Sequence, residues 1–290
     1  MTEQIRVDLE QFLGQRVLSV TAIPEGHSGF TYFVTTADRE YVLRLPPPNA
    51  RIAGTADVMR QGRIMAALHA AGLPAPAVPV ICSDPVVDGR PFILMDRVEG
   101  GMRIEKTAQT QAPIDIASSA IAVLRRLQAV PIERTGIGDE EPVTLQVEMM
   151  RWAMLMQRGP EELTARAGEL GGLLAAQVPV ERPPTLVHGD YHYGNMLFRG
   201  AEVIALLDWE IAELGQPLLD LGCLCVMSVR QQISEAPNPG GAIDVTMEDL
   251  YRLYGVDDED MRWYSAMSLY KYAAILGYNT MLHRRGRRPD

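Results

Sequence analysis

The sequence contains no uncharged apolar run of the roughly 18 residues that a membrane-spanning helix needs. Its longest tempting stretch, Pro217 to Val229, is interrupted by Asp220 and reads as a buried helix. The first residues, Met1 to Arg6, lack an apolar segment, so no signal peptide and a cytoplasmic location are expected. Cysteine is scarce: Cys82, Cys223 and Cys225 are too few and too badly spaced for a disulfide framework. Cys223 and Cys225 read as small apolar residues on a buried helix, and no partners for a metal site accompany them. Positive charge is also in deficit, with a formal net charge of -10. That balance repels phosphate backbones at long range and argues against a nucleic-acid partner. Internal repeats and low-complexity tracts are missing as well.

What remains is an ordinary globular composition, 290 residues with 47% hydrophobic and 22% charged. Such a chain is long enough for two lobes, each with its own core. The first hundred residues read as mostly β. Val17 to Ile23, Phe30 to Thr36 and Glu40 to Leu45 alternate as strands, and Pro46 to Pro48 stop the third. Ala56 to Ala71 carries apolar residues near helical spacing and ends at Gly72. Val78 to Cys82 and Pro91 to Met95 follow as strands around the turn Val87 to Arg90. After Glu99 to Gly101 the pattern turns helical. Ile114 to Ala129, Val143 to Gln157, Glu161 to Gln177, Leu218 to Arg230, Met247 to Tyr254 and Glu259 to His283 all read as helices. The expected fold is therefore α+β and bilobal. Residues 1–97 form a small five-stranded antiparallel β lobe with one helix, and residues 98–290 form a larger, mostly helical lobe.

Between the helices lies a segment that carries chemistry. Leu186 to Phe198 has a short apolar run, a polar loop and a second apolar run, which holds Asp190 and Asn195 on a loop between buried anchors. Val203 to Leu207 then reads as a buried strand that delivers Asp208 at its end. Phosphoryl transfer needs a carboxylate to orient the attacking hydroxyl and accept its proton, and oxygen ligands for Mg²⁺. Asp190 suits the first task, and Asn195 and Asp208 suit the second.

The pattern His188-Gly-Asp190, Asn195 and Asp208-Trp-Glu210 resembles the aminoglycoside phosphotransferase and choline kinase-like superfamily, relatives of the protein kinases. The resemblance is closest to the phosphotransferase domains associated with acyl-CoA dehydrogenases, and it covers nearly the whole chain. Phe30 to Tyr32, Tyr41 to Pro46, Phe92 to Met95, Leu206 to Glu210 and Gly215 to Gly222 sit where that branch has similar strings. The resemblance implies a protein-kinase-like fold, ATP and Mg²⁺, and a hydroxylated small-molecule acceptor. Asp190 is then the catalytic base, and Asn195 and Asp208 bind the metal. His188 and Asp220 brace the loop, while Tyr191 and His192 either face the acceptor or pack.

On the nucleotide side the resemblance places Gly26, Ser28 and Gly29 over the phosphates. It places the backbone of Asp96 and Val98 at the adenine edge. Arg44 stands where the wider family has a lysine for the α and β phosphates, and it keeps a permanent charge. Its helix partner, a glutamate in the wider family, aligns with Gln61, and Asp57 lies one turn earlier. Glu210 reads as a surface residue or a support for the metal. Because Gln61 cannot neutralise Arg44, a nucleotide-binding regulatory or scaffold module with little activity stands as the alternative. The acceptor classes this leaves are an aminoglycoside-like antibiotic, a hydroxyacyl-CoA or another hydroxylated metabolite. The basic 283–288 tail reads as a solvated end.

Overall fold

A computed structural model describes residues 2–23, 30–233 and 241–287 of the chain. Alternating burial in the N-terminal third produces one antiparallel sheet. Its strands are β1 (Val17–Ala22), β2 (Phe30–Thr36), β3 (Glu40–Leu45), β4 (Val80–Val87) and β5 (Arg90–Asp96), in spatial order β1-β2-β3-β5-β4. On one face Tyr32, Val34, Tyr41, Leu43, Leu45, Phe92 and Leu94 pack with Ile5 and Leu9. The last two belong to α1 (Thr2–Leu13), a helix the sequence pattern does not announce. Only those two positions, spaced i and i+4, are buried on it, too narrow a stripe to read as amphipathic. On the other face lies α2 (Val58–Ala70), with Ile64, Met65 and Leu68 in the core. Gly62 lets α2 lie flush on the sheet, because a Cβ there would meet Ile93 Cγ2 at 2.8 Å.

The β4–β5 turn uses Asp88 and Gly89, with φ of 50° and 68°, as a two-residue hairpin of this twist requires. β4 runs five residues beyond the expected Cys82. Its register shifts between Cys82 and Val87, and Pro85 is tolerated because β4 is an edge strand.

The rest of the chain is helical, with two small hairpin-like sheets set among the helices. The main helices are α4 (Pro113–Gln128), α5 (Leu145–Met156), α8 (Leu218–Ile233), α9 (Met247–Tyr254) and α10 (Asp258–Arg284). Short ones are α3 (Ile104–Thr107), α6 (Glu161–Thr164) and α7 (Ala167–Ala175). The single helix expected over 161–177 is thus two. Its second part contains Gly168, Gly171 and Gly172 and buries only Leu174, so neither propensity nor packing holds one long helix. α8 is buried nearly all round and crosses α10 closely at Gly222, where a Cβ would meet Ser268 Oγ at 2.4 Å and Tyr264 O at 2.8 Å.

Strand β6 (Thr185–Val187) pairs with β9 (Glu213–Gly215), and β7 (Met196–Arg199) pairs with β8 (Glu202–Leu206). β9 has no alternation of its own and exists through its partner. These two pairs bracket residues 188–195 on one side and Asp208 on the other. The architecture is a five-stranded antiparallel sheet joined to a helical lobe. Among the described residues no helix is long and apolar enough to cross a membrane.

Candidate active site

The loop that leaves β6 is pinned before it reaches Asp190. Asp220, fully buried in the first turn of α8, accepts hydrogen bonds from the backbone N–H of His188 (2.7 Å) and of Gly189 (2.9 Å). Gly189 has φ of 82°, and a Cβ there would sit 2.5 Å from Ile211 O, so no other residue fits this turn. His188 is itself fully buried. Its Nε2 lies 2.8 Å from Leu207 O, and its Nδ1 accepts the Asp190 N–H at 3.2 Å. With Nδ1 accepting, Nε2 is the nitrogen that donates to Leu207 O. Its ring also packs on Trp209, with centroids 4.5 Å apart. One imidazole therefore joins the loop to the residue preceding Asp208.

Asp190 and Asn195 face each other across that loop. Asn195 Nδ2 donates to the Asp190 carbonyl (3.0 Å) and to its Oδ2 (2.9 Å). Both amide hydrogens are thereby engaged by one residue, and the amide oxygen is the atom suited to a cation. The Leu207 N–H donates to Asn195 O at 2.8 Å, which fixes the following Asp208 relative to Asn195. Asp208 adopts a left-handed conformation with φ of 65°, a strain that aspartate bears better than most residues and that recurs at functional sites. Its side chain remains 42% exposed.

Three further groups reach Asp190. The Tyr272 hydroxyl donates to Oδ1, and His192 Nε2 lies 3.3 Å from Oδ2. Lys271, only 5% exposed, donates from Nζ to the Gly189 carbonyl and lies 4.9 Å from the centre of the Trp152 ring. Burial alone would raise the Asp190 carboxyl, but His192, Tyr272 and Lys271 outweigh it and hold it far below the usual carboxylate range. Burial has the last word at Asp220, whose carboxyl is raised despite His188, the two N–H donors and Lys271. Burial pulls the Lys271 ammonium down, yet the surrounding Cys223, Glu148, Asp190 and Asp220 carry it above its ordinary value. Tyr191 is core, with its hydroxyl on Ala120 O at 2.7 Å.

Sequence pattern alone does not single out Lys271, nor the contact of Tyr272 with Asp190. One signal was available: of the 27 basic residues, Lys106 and Lys271 alone are lysine, and Lys271 sits between two tyrosines. A compact ammonium suits a buried pocket where a guanidinium would not fit.

On the sheet side, Arg44 lies in β3 opposite Thr31 and Ile93, with its side chain 12% exposed. Its Nη2 donates to Asp208 Oδ1 at 3.3 Å and, more closely, to Glu210 Oε1. Neither helix position expected to hold it does so. Gln61 is buried on α2 but is not bonded to Arg44, and Asp57 caps α2 by accepting the Arg60 N–H at 2.9 Å. Glu210 is correspondingly no surface residue, since its side chain is 11% exposed. Asp208 and Glu210 stand either side of the fully buried Trp209 in sequence, and both carboxylates meet Arg44. Asp96 closes β5, its N–H given to Ala77 O at 2.8 Å and its Oδ1 buried without a partner among the described residues. Asp96 and Val98 both line a recess of about 510 Å³ with Asp38, Glu40 and Arg199. Gly26, Ser28 and Gly29 lie outside the described residues.

The donor set suits a divalent cation that prefers oxygen, with an amide oxygen beside an accessible carboxylate. Arg44 Nε and Asp96 Oδ1, buried and unpartnered among the described residues, suit a polar ligand.

Comparison with known proteins identifies the family and the fold. Acyl-CoA dehydrogenase family member 10 of Mus musculus is 30% identical over 275 residues, which is 87% of this chain and 25% of that protein. Acyl-CoA dehydrogenase family member 11 of Rattus norvegicus is 26% identical, over 89% of this chain and 36% of that protein. The chain thus spans about a quarter to a third of the curated relatives it matches. Among solved structures, a candidate aminoglycoside phosphotransferase of Ralstonia eutropha JMP134 aligns with a TM-score of 0.72 at 24% identity, covering 97% of this chain and 90% of that one. An aminoglycoside phosphotransferase in ternary complex with ADP and hygromycin B aligns with a TM-score of 0.66 at 17% identity, covering 98% and 96%. These likenesses establish a protein-kinase-like fold. A model of the phosphotransferase enzyme family matches residues 19–255, and the chain belongs to that family.

Proposed function

We propose that this phosphotransferase moves the γ-phosphoryl group of ATP, with Mg²⁺, to a hydroxyl of a small molecule. The observation that carries the reading is the convergence of Asp190, Asn195 and Asp208, tied to one another through His188 and the Leu207–Asn195 hydrogen bond. Asp190 receives the acceptor hydroxyl. Its depressed pKa makes it a weak base, so it orients the nucleophile and takes the proton late, as a loose transition state allows. In the transfer the acceptor oxygen bonds to Pγ, the bond from Pγ to the β–γ bridging oxygen breaks, and ADP leaves. Asn195 and Asp208 would hold Mg²⁺, which when bound neutralises charge on the β and γ phosphates. Arg44 supplies a further cation for the phosphates, and the backbone of Asp96 and Val98 takes the adenine edge.

Acceptor classes to screen are aminoglycoside-like antibiotics, hydroxyacyl-CoA thioesters and other hydroxylated metabolites. The first are bound by solved proteins of this fold, and the second are suggested by the names of the longer relatives. The non-catalytic alternative drew on Gln61, and the Glu210 carboxylate at Arg44 takes away that support. A screen reading ATP consumption tests the proposal against Asp190→Ala. Turnover should fall by about a thousandfold in the variant while nucleotide binding persists. Wild-type turnover in Asp190→Ala would overturn the role given to this carboxylate.

A further inference from the structure

We infer that Glu210 is the residue that positions Arg44 for the nucleotide, and that Arg44 exchanges Asp208 for phosphate when Mg²⁺·nucleotide binds. The inference rests on the proposed phosphotransferase reading and adds to it a residue and an exchange.

Arg44 lies deep in the sheet, and its guanidinium would be an uncompensated buried cation without a carboxylate beside it. The helix that packs on the sheet offers a neutral amide, Gln61, at the aligned position. The compensating charge comes instead from the far end of the sequence, 164 and 166 residues away. One nitrogen, Nη2, carries both contacts, and the two differ in kind. Glu210 is close and 11% exposed, whereas Asp208 is 3.3 Å away and 42% exposed. A pair sheltered from water is the stronger, and an exposed one is readily given up. Asp208 is also the carboxylate that pairs with Asn195 as a cation ligand. Asp208 would therefore be free to hold a cation accompanying the nucleotide, since its pair with Arg44 is the looser of the two. Phosphate oxygens of the same ligand would then answer the Arg44 guanidinium. Glu210 keeps the guanidinium in place through the exchange. Arg44 Nε, buried and unpartnered among the described residues, is a second donor for an incoming anion.

The coupling is measurable without turnover. Calorimetric titration of the full chain with Mg²⁺·ADP should show about tenfold or greater loss of affinity in Arg44→Gln and in Glu210→Gln. The double variant should lose no more than the weaker-binding single variant, because each substitution destroys the same arrangement. Glu210→Asp, which keeps the charge on a shorter arm, should recover part of the loss, and circular dichroism confirms that each variant is folded. Multiplicative losses in the double variant would overturn the inference, as would unchanged affinity in Glu210→Gln. A wild-type chain that does not bind Mg²⁺·ADP overturns this inference together with the reading beneath it. Wild-type binding with an unaffected Glu210→Gln overturns this inference alone.

Discussion

His188 and Arg44 both carry side-chain nitrogens into the candidate site, but the surrounding protein treats them in opposite ways. His188 is fully buried, and its backbone N–H, Nδ1 and Nε2 each have a partner within the fold. Arg44 is held through one nitrogen by two carboxylates that belong to another part of the chain, while its Nε is unpartnered among the described residues. The loop side is built before any ligand arrives. The sheet side, on the inference drawn for Arg44, is rearranged by one. A phosphotransferase needs both, because the reacting hydroxyl requires a fixed carboxylate while the phosphates must enter and leave.

The contrast would fail first at Asp220. Asp220→Ala strands two buried N–H groups and removes a carboxylate beside Lys271, so unfolding free energy should drop by about 3–5 kcal/mol. Urea unfolding checks this, and a change below about 1 kcal/mol would mean that the loop is not pinned as described. Lys271→Met follows, with an expected loss of about 2–3 kcal/mol, as Glu148, Asp190 and Asp220 lose their shared cation. Turnover should fall with it, since Gly189 loses the Lys271 contact one residue before Asp190.

On the sheet side the balance should invert. Asp208→Asn keeps a side chain that tolerates positive φ and removes the charge. Stability should change by less than about 1 kcal/mol, because the pair with Arg44 is partly exposed. Mg²⁺-dependent nucleotide binding should be lost, and calorimetry reading unchanged affinity would refute the metal assignment.

The smallest effect concerns Glu213, under the loop. Burial, then the Glu148 carboxylate, push its carboxyl up to about 7 from the ordinary 4.5, against Arg151 and Lys271. The folded state then holds a proton that the unfolded chain has released, so stability declines as pH rises from about 4.5 to 7. Glu213→Gln should flatten that part of the urea-midpoint profile. An unchanged slope would show that another group sets it.

Much of the arrangement was legible in advance because it is local. Strands β2 and β3 alternate cleanly, Asp88-Gly89 can hardly be anything but a hairpin turn, and the spacing of Asp190, Asn195 and Asp208 is carried by one loop and one hairpin. Three of the differences share a cause. α1 buries too few residues to show a period, β9 depends on β6, and β4 continues past a proline that only an edge strand allows. In each, a partner distant in sequence decided the outcome.

The sequence by itself determined the β-to-helical order of the chain and the spacing of Asp190, Asn195 and Asp208, since short-range periodicity specifies them, while the brace of His188 and Asp220 was implied by the family resemblance. Only the tertiary structure decided which carboxylate answers Arg44. Counter-ion choice depends on which charges share a dry space, and Glu210 reaches that space from 166 positions away in the sequence.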